Sequence, residues 1–320
     1  MNKLSIIIPV YFNQDNLVDL YDDIFEKVIR VIDCDYELIM VDDGSKDNSW
    51  SVVQQLAQKD SHIIPIHLSR NFGSHAAILC GLCNATGDCA VVKAADLQEP
   101  AEMLLEMYEK WKSGSNVVLA LRKDRMDSFG QKLFANLYYW LVRKVALNQM
   151  PKGGFDIFLI DRKVIEVLKL MDEKNSAITA QILWSGFKTD KIYYTRQARK
   201  VGKSRWTLKK KIKLVSDTLF SFSTVPVTII STVGVLSFFG SLLWALLVLV
   251  LKLLGKIEVS GWTTMFIFNL FSFGIIMLTL GILGGYIWRA FDATRNRPPY
   301  IVEELGIDKD SRSKTDADLK

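Results

Sequence analysis

Residues 36–47 read YELIMVDDGSKD, and this stretch decides the fold class. Its first half, Tyr36–Val41, is strand-like and has the length of one strand. Two adjacent carboxylates, Asp42 and Asp43, end the run, and a glycine-serine turn then leads into a helical spacing of apolar residues. A strand that ends in acidic residues and turns into a helix is typical of an α/β sheet with a ligand site at its strand ends.

The alternation of strand and helix continues on both sides of this stretch. Further strands are predicted at Leu4–Val10, His62–Leu68, Asp88–Lys93 and Asn116–Leu121. Helices are predicted between them, at Asn16–Ile32, after the Ser45–Ser49 turn, and at Ala76–Ala85 and Ala101–Trp111. This order predicts βαβ units and a doubly wound, mainly parallel sheet. Neither a glycine-rich dinucleotide turn nor a Walker A loop is present, so side chains are expected to hold any nucleotide.

Polar side chains stand at five successive predicted strand ends: Asn13, Asp42 with Asp43, Arg70 with Asn71, Asp96, and Arg122. Ligands of open α/β sheets bind outside the carboxyl ends of the strands, so these residues predict one polar, charged site.

Asp42 and Asp43 either stabilise a turn or accept hydrogen bonds from a base or ribose. Asp96 is either a helix N-cap or a metal ligand. Its oxygen-bearing neighbours Gln98 and Glu99 suit Mg²⁺ or Mn²⁺.

Two further groups could belong to this site. Arg122 and Arg125 follow the fifth predicted strand and either bind phosphate bidentately or lie in a solvated loop. Asp156 follows two glycines and lies between apolar neighbours, which predicts a partly buried acid.

The C-terminal third has a different character. The chain has 320 residues, 49% of them apolar, but Thr218–Trp288 contains only three charged residues. Two uncharged runs predict membrane-spanning helices at Val227–Leu251 and Thr263–Trp288. The basic run Arg196–Lys213 precedes them, and by the positive-inside rule both termini are expected in the cytoplasm. A wholly soluble protein is excluded, and the net charge of +5 gives no reason to expect nucleic-acid binding.

Seven motifs now stand in order: PVYFNQDNL, VDDGSKD, LSRNFG, ADLQEP, GGFDIFLIDRKV, GKSRW and SFSTVP, followed by the two predicted spans. Over residues 3–300 the chain resembles the family-two inverting glycosyltransferases that act on polyprenyl phosphate, among them bactoprenol glucosyltransferases and dolichol-phosphate mannose synthases. The resemblance implies a cytoplasmic GT-A catalytic domain over 1–206 and an amphipathic juxtamembrane helix over 207–224. It also implies a two-helix transmembrane domain over 225–290 and a cytoplasmic tail over 291–320.

The same resemblance assigns roles by position. The residues implied to bind the nucleotide sugar are Pro9, Tyr11, Asp42, Asp43, Arg70 and Asn71. Those implied to be catalytic are Asp96, Asp156 and Arg122, and Asp96 with Gln98 is implied to bind Mg²⁺ or Mn²⁺. The residues implied to bind the phosphate of the lipid acceptor are Arg125, Lys203, Ser204 and Arg205.

Three departures from the family pattern concern this site. Ala94 stands where the family often has an aspartate, Phe12-Asn13 replaces an Asn-Glu pair, and Glu99 replaces an aspartate before proline. Ala94 removes one metal ligand and leaves metal affinity and donor choice open.

The expected function is transfer of a sugar, glucose from a uridine diphosphate donor, to undecaprenyl phosphate at the cytoplasmic face of a bacterial inner membrane. Besides donor and acceptor, membrane lipids are expected partners, and self-association into a homo-oligomer is left open. The alternatives are a mannose-type synthase that uses a guanosine diphosphate sugar, a chain-extending polysaccharide synthase, and a non-catalytic membrane scaffold that binds nucleotide sugars.

Overall fold

The structure of the chain is a computed structural model that describes residues 2–123, 140, 142–144, 147–171, 177–197, 223, 225–255, 261–295 and 297–306. It divides into two compact units. The first consists of Met1–Leu214 together with Pro298–Lys320, and the second is Val215–Arg297.

A single mixed sheet organises the first unit. Its strands are β1 (Lys3–Val10), β2 (Asp35–Asp42), β3 (Ile63–Leu68), β4 (Cys89–Val92), β5 (Val117–Arg122), β6 (Ile157–Asp161), β7 (Thr189–Tyr194) and β8 (Val302–Leu305). Their spatial order is β7-β5-β6-β4-β1-β2-β3-β8. The pairs β1–β2, β1–β4, β2–β3 and β5–β7 are parallel, whereas β6 and β8 run antiparallel to their neighbours. The predicted mainly parallel α/β fold is confirmed.

Helices cover both faces of this sheet: α1 (Leu17–Ile24), α2 (Ser49–Lys59), α3 (Ser74–Asn84), α4 (Met103–Lys112), α5 (Arg162–Leu170) and α6 (Ile178–Trp184). The predicted helix Asn16–Ile32 is shorter than expected, because α1 passes into a π-helical turn at Phe25–Ile29. Since successive strand side chains point to opposite faces, Ile6 and Ile8 join the core that contains α1 and α4. On the other face α3 packs on β1, and a Cβ at Gly81 would lie only 2.4 Å from Ile7 Cγ2.

The centre of the sheet opens at the carboxyl end of β1. Pairing between β1 and β4 stops at Ile7 with Val92, whereas β1 and β2 stay in register to Val10 with Asp42. Pro9 lies beyond the last β4 pair, so its missing N–H costs no hydrogen bond there. The strand order reverses at β1, and this switch point is where α/β sheets bind ligands.

Three strands of the sheet were not predicted from the sequence, one of them β7 at an edge. The antiparallel strand β6 separates β4 from β5, and β8 adds to β3 at the other side of the sheet. Residues 291–320 were predicted to form one cytoplasmic tail. The structure places Val302–Leu305 of that segment in the sheet of the first unit.

The second unit contains two long apolar helices, α7 (Val225–Leu253) and α8 (Trp262–Thr294). Their 29 and 33 residues correspond to about 44 and 50 Å of helix, more than the roughly 30 Å hydrocarbon core of a bilayer. Windows over Val227–Trp244 and Phe271–Thr294 are apolar enough to cross a membrane, and neither is buried by protein. Because so many large apolar side chains are exposed, this unit associates with membrane. The predicted amphipathic helix 207–224 lies almost wholly outside the described residues.

Candidate active site

The turn after β2 places a buried carboxylate at the switch point. Asp42 is fully buried, and its Oδ2 accepts hydrogen bonds from the Ser45 amide at 3.1 Å and from His67 Nδ1 at 2.7 Å. Its Oδ1 is also buried and has no hydrogen-bond partner among the described residues. Buried polar atoms are almost always paired, so Asp42 Oδ1 is available to an N–H or O–H group of a ligand.

The second carboxylate of this turn holds a neighbouring loop. Asp43 accepts hydrogen bonds from the amides of Phe72 at 2.7 Å and Gly73 at 2.9 Å, and from Asn71 Nδ2 at 2.8 Å. The Arg70 guanidinium lies 4.5 Å from the centre of the Phe72 ring. The predicted residues Asp43, Arg70 and Asn71 therefore lie together, and Asp43 fixes the loop that carries the other two.

The loop after β1 is bound to the same turn. Phe12 has a positive φ of 56°, and its amide donates to Ser45 Oγ at 3.0 Å. The amide of Asn13 donates to Ser49 Oγ at 2.8 Å, and the amide of Tyr11 donates to Asn13 Oδ1 at 2.9 Å. These bonds tie the end of β1, with Tyr11, to the turn that holds Asp42.

Gly44 lies in the turn after Asp42 and Asp43, where its substitution is expected to lower the stability of the protein. Its φ is +64°, and an added Cβ would lie 2.5 Å from the backbone carbon of Arg70. Gly114 also has a positive φ, +92°, but the nearest atom to its added Cβ is Lys188 Nζ at 3.9 Å. We expect Gly114→Ala to cost about 1–2 kcal/mol through backbone strain alone, and Gly44→Ala to cost about 3 kcal/mol or more.

Thermal unfolding of the two purified variants measures this difference. Equal losses of stability would show that the Arg70 backbone yields without cost.

The turn of Asp42 and the two loops bound to it form the first cluster of the site, and a second cluster follows β4. The carboxylate of Asp96 accepts from the Gln98 amide at 3.3 Å, and Leu97 between them has a φ of +55°. Arg196 lies against this turn: its Nη2 is 3.7 Å from Asp96 Oδ2 and donates to Gln98 Oε1. Gln98 Nε2 donates to the Gln197 carbonyl at 3.2 Å. One guanidinium therefore contacts both residues that were predicted to bind a metal.

Glu99 adds a buried acid to this cluster. Its side chain is 2% exposed, its Oε1 is 3.9 Å from Arg196 Nε, and its Oε2 has no hydrogen-bond partner among the described residues. Burial, followed by the nearby charge of Asp96, raises the pKa of Glu99 to about 7. Lys93 is fully buried as well and donates from Nζ to the Glu99 carbonyl at 2.8 Å, while burial lowers its pKa.

The chemistry of this cluster suits a hard divalent cation. Asp96 and Gln98 offer carboxylate and amide oxygens, and the unpaired Glu99 oxygen lies in the same negative field. Within the part of the chain that the structure describes, no group of three or more His, Cys, Asp and Glu side chains forms a metal site. Ala94 supplies no ligand, and Arg196 provides the positive charge that a cation would bring.

The raised pKa of Glu99 predicts a pH effect on stability. Burial destabilises the ionised form of the Glu99 carboxyl in the folded state but not its neutral form. The folded state therefore loses stability as pH rises from the ordinary pKa of about 4.5 to the folded pKa of about 7. The full loss is about 3 kcal/mol above pH 7. We expect Glu99→Gln in chelator to be more stable than the natural chain at pH 8 by about that amount, and by far less at pH 5.

Unfolding curves at the two pH values measure this effect, with Glu106→Gln, a change at an exposed acid, as control. A gain for Glu99→Gln that is the same at pH 5 and pH 8 would contradict the assignment.

A third cluster joins β5, β6 and β7. Arg122 donates from Nη2 to Asp156 and from Nε to the Tyr194 hydroxyl at 3.2 Å. The Asp156 carboxylate is 66% exposed, so the prediction of a partly buried acid is wrong. It precedes β6, and its side chain turns toward Arg122. Glu99 and Arg122 influence each other electrostatically, so the second and third clusters are neighbours.

Sequence reasoning missed several residues of these clusters: His67, Lys93, Tyr194 and the site role of Arg196. Tyr194 ends β7 and Arg196 follows it, so the strand-end rule would have found both if β7 had been predicted. Four predicted acceptor residues, Arg125, Lys203, Ser204 and Arg205, lie outside the described residues. The others stand in the three clusters or, for Pro9, at the open end of β1.

Comparison with known proteins adds to this geometry. Residues 5–168 match the family described as Glycosyl transferase family 2. The glycosyltransferase YkcC of Bacillus subtilis is 36% identical over 94% of this chain and 94% of its own. A prophage bactoprenol glucosyl transferase homolog of Escherichia coli is 31% identical over 95% of this chain and 99% of its own.

Among solved structures, glucosyl-3-phosphoglycerate synthase from Mycobacterium tuberculosis is similar at 14% identity, with a TM-score of 0.45 over 68% of this chain and 80% of that one.

Proposed function

The chain belongs to glycosyl transferase family 2, and we propose that it transfers glucose from uridine diphosphate glucose to polyprenyl phosphate at a membrane surface. As a member of this family it is a hexosyltransferase that uses a nucleotide-sugar donor. The identities of the sugar, the nucleotide and the lipid acceptor are the proposal.

One observation carries the choice of acceptor. The similarity to the bactoprenol glucosyl transferase homolog extends over 95% of this chain, so it includes the apolar helices as well as the sheet. An acceptor whose polyprenyl tail stays in the bilayer requires its transferase at the membrane. The two exposed apolar helices of the second unit meet that requirement.

The proposed reaction needs little from a general base. A lipid phosphate is already anionic at neutral pH, since the second pKa of a phosphate monoester is about 6. One phosphate oxygen attacks the anomeric carbon and forms the new C–O bond. The bond from that carbon to the nucleotide diphosphate breaks, its electron pair leaves with the diphosphate, and the anomeric configuration inverts. The enzyme must align these groups and stabilise the departing charge.

Each of the three clusters has its own proposed role in this reaction. Asp42 would accept a hydrogen bond from the donor nucleotide through Oδ1, with Tyr11, Arg70 and Asn71 on the surrounding loops. Arg122 would bind phosphate oxygens, with its guanidinium oriented by Asp156 and Tyr194.

Asp96 and Gln98 would hold Mg²⁺ or Mn²⁺, and a bound ion would offset negative charge on the diphosphate. Binding of that ion requires Arg196 to release Gln98 Oε1.

The path of the chain supports a proposed orientation in the membrane. Strand β8, after the two apolar helices, pairs with β3, which precedes them, so both flanks of the helix pair lie in one sheet. Two crossings return the chain to the side from which it left. Basic residues dominate these flanks, so we propose that the sheet unit and both termini are cytoplasmic.

A transfer assay tests the proposal. Purified full-length protein is incubated with polyprenyl phosphate and a panel of radiolabelled nucleotide sugars, each with Mg²⁺, Mn²⁺ or chelator. We expect an acid-labile lipid-linked glucose from the uridine diphosphate donor, and none with chelator. A product from a guanosine diphosphate sugar would replace the proposed donor. Nucleotide binding without product from any donor would favour a non-catalytic scaffold, the alternative that Ala94 raises.

A further inference from the structure

The strand that follows the second apolar helix, β8, is separated from the strand of Asp42 by β3 alone. It pairs antiparallel with β3, with Glu304 opposite His67 and a bulge between His67 and Leu68. Backbone bonds extend the contact at both ends, from the Ser69 amide to the Ile301 carbonyl at 3.0 Å and from the Gly306 amide to the Pro65 carbonyl at 2.9 Å. Bulges often re-aim a side chain beside a functional site.

His67 connects this strand to Asp42. Its Nδ1 lies 2.7 Å from Asp42 Oδ2 and must carry the proton, because a carboxylate oxygen only accepts. The imidazole stacks on Trp50 with ring centres 4.9 Å apart, and its Nε2 is 3.7 Å from Glu303 Oε2. Trp50 in turn donates its indole N–H to Glu304 Oε2 at 3.1 Å. Glu304 of β8 therefore holds the indole that stacks on His67, and Glu303 lies near the imidazole.

We propose that His67 is a positioning residue for the donor nucleotide, and that β8 is a structural part of the nucleotide site. His67 holds Oδ2 of Asp42 and so leaves the unpaired Oδ1 for the ligand. Strand β8 keeps His67 in place through the indole of Trp50. This inference rests on the proposed function, because it takes Asp42 as the residue that contacts the donor.

Local structure alone does not account for this arrangement. The Ser45 amide already stabilises the turn through Asp42 Oδ2, so the turn does not need a second donor from β3. A short hydrogen bond to a buried carboxylate instead fixes the rotation of that carboxylate. A ligand then meets Oδ1 in one orientation and loses less conformational freedom on binding.

Two substitutions of His67 separate its two ring nitrogens. In His67→Asn the side-chain amide stands near the position of Nδ1 and can still donate to Asp42, whereas in His67→Gln it stands near the position of Nε2. We expect His67→Gln to weaken binding of uridine diphosphate about tenfold, the effect of one charge-assisted hydrogen bond, and His67→Asn to stay close to the natural chain. Trp50→Phe keeps the stacked ring but removes the N–H donor to Glu304, and we expect a smaller loss.

The experiment titrates full-length protein in detergent with uridine diphosphate. The Michaelis constants for donor and acceptor are measured alongside, and thermal unfolding monitors the fold. The inference predicts a change in donor KM without a change in acceptor KM. Equal nucleotide binding by His67→Gln and the natural chain overturns it, as does an equal loss in His67→Asn and His67→Gln. If the natural chain binds no nucleotide, the proposed function fails first and this inference fails with it.

Discussion

Asp96→Asn is expected to lower transfer by about 10³-fold, the largest effect of any single substitution considered for this protein. The carboxylate lies at the switch point of the sheet, is 15% exposed, and has Gln98 and Arg196 as neighbours. In the proposed reaction it supplies the charged oxygen that holds a divalent ion near the leaving diphosphate. Asparagine keeps the size of the side chain and one oxygen but removes the charge that binds the ion.

The loss would not result from unfolding. Asp96 contributes to the raised pKa of Glu99, so removing its charge relieves a repulsion and should leave the folded state at least as stable. The measurement combines the rate of transfer with calorimetric titration of Mn²⁺ and with thermal unfolding. Asp190→Asn is the matched control, because it removes a carboxylate that pairs with Lys110 outside the three clusters. Transfer by Asp96→Asn within threefold of the natural rate would contradict the metal assignment.

Three of the residues predicted from the sequence, Asp42, Asp96 and Arg122, share one property: they stand at or after the carboxyl ends of buried strands. Each follows an apolar run, and a run of a few apolar residues is enough to predict a buried strand. The carboxyl ends of parallel strands meet at one edge of the sheet, so these side chains are expected near one another. The same local pattern could not decide between the two roles considered for Asp42 and Asp43. In the structure Asp43 accepts three hydrogen bonds from its neighbouring loop, whereas Asp42 keeps an oxygen with no partner among the described residues.

Three of the residues that were not predicted, His67, Tyr194 and Arg196, depend on the pairing of distant strands. Strand β8 reads VEEL, is only four residues long, and has two exposed acids, so nothing in its composition predicts a strand. It forms because β3 offers a free edge more than two hundred residues earlier. The contact of His67 with Asp42 follows from the pairing of β3 with β2, and the contact of Arg196 with Asp96 follows from the pairing of β7 with β5. A basic run such as Arg196–Lys213 shows net charge, but it does not show which of its members faces an acid.

Arg122→Lys is expected to lower transfer by about 10²-fold, although it keeps the positive charge. Arg122 uses two separate nitrogens, Nη2 toward Asp156 and Nε toward the Tyr194 hydroxyl, and these contacts fix the plane of the guanidinium. A lysine ammonium is a point charge and cannot hold both partners while it presents a planar pair of donors to a phosphate. The loss should fall mainly on kcat, because Asp42 and its loops still bind the nucleotide.

Steady-state kinetics with the donor and acceptor varied separately measures this effect. Arg30→Lys is the control, since Arg30 is exposed and pairs only with Glu26 among the ion pairs of the described residues. Tyr194→Phe tests the orienting contact alone, and we expect a loss of about tenfold or less because Asp156 still holds Nη2. A natural rate in Arg122→Lys would mean that charge alone suffices at this position. The orientation imposed by Asp156 and Tyr194 would then serve the fold rather than the transfer.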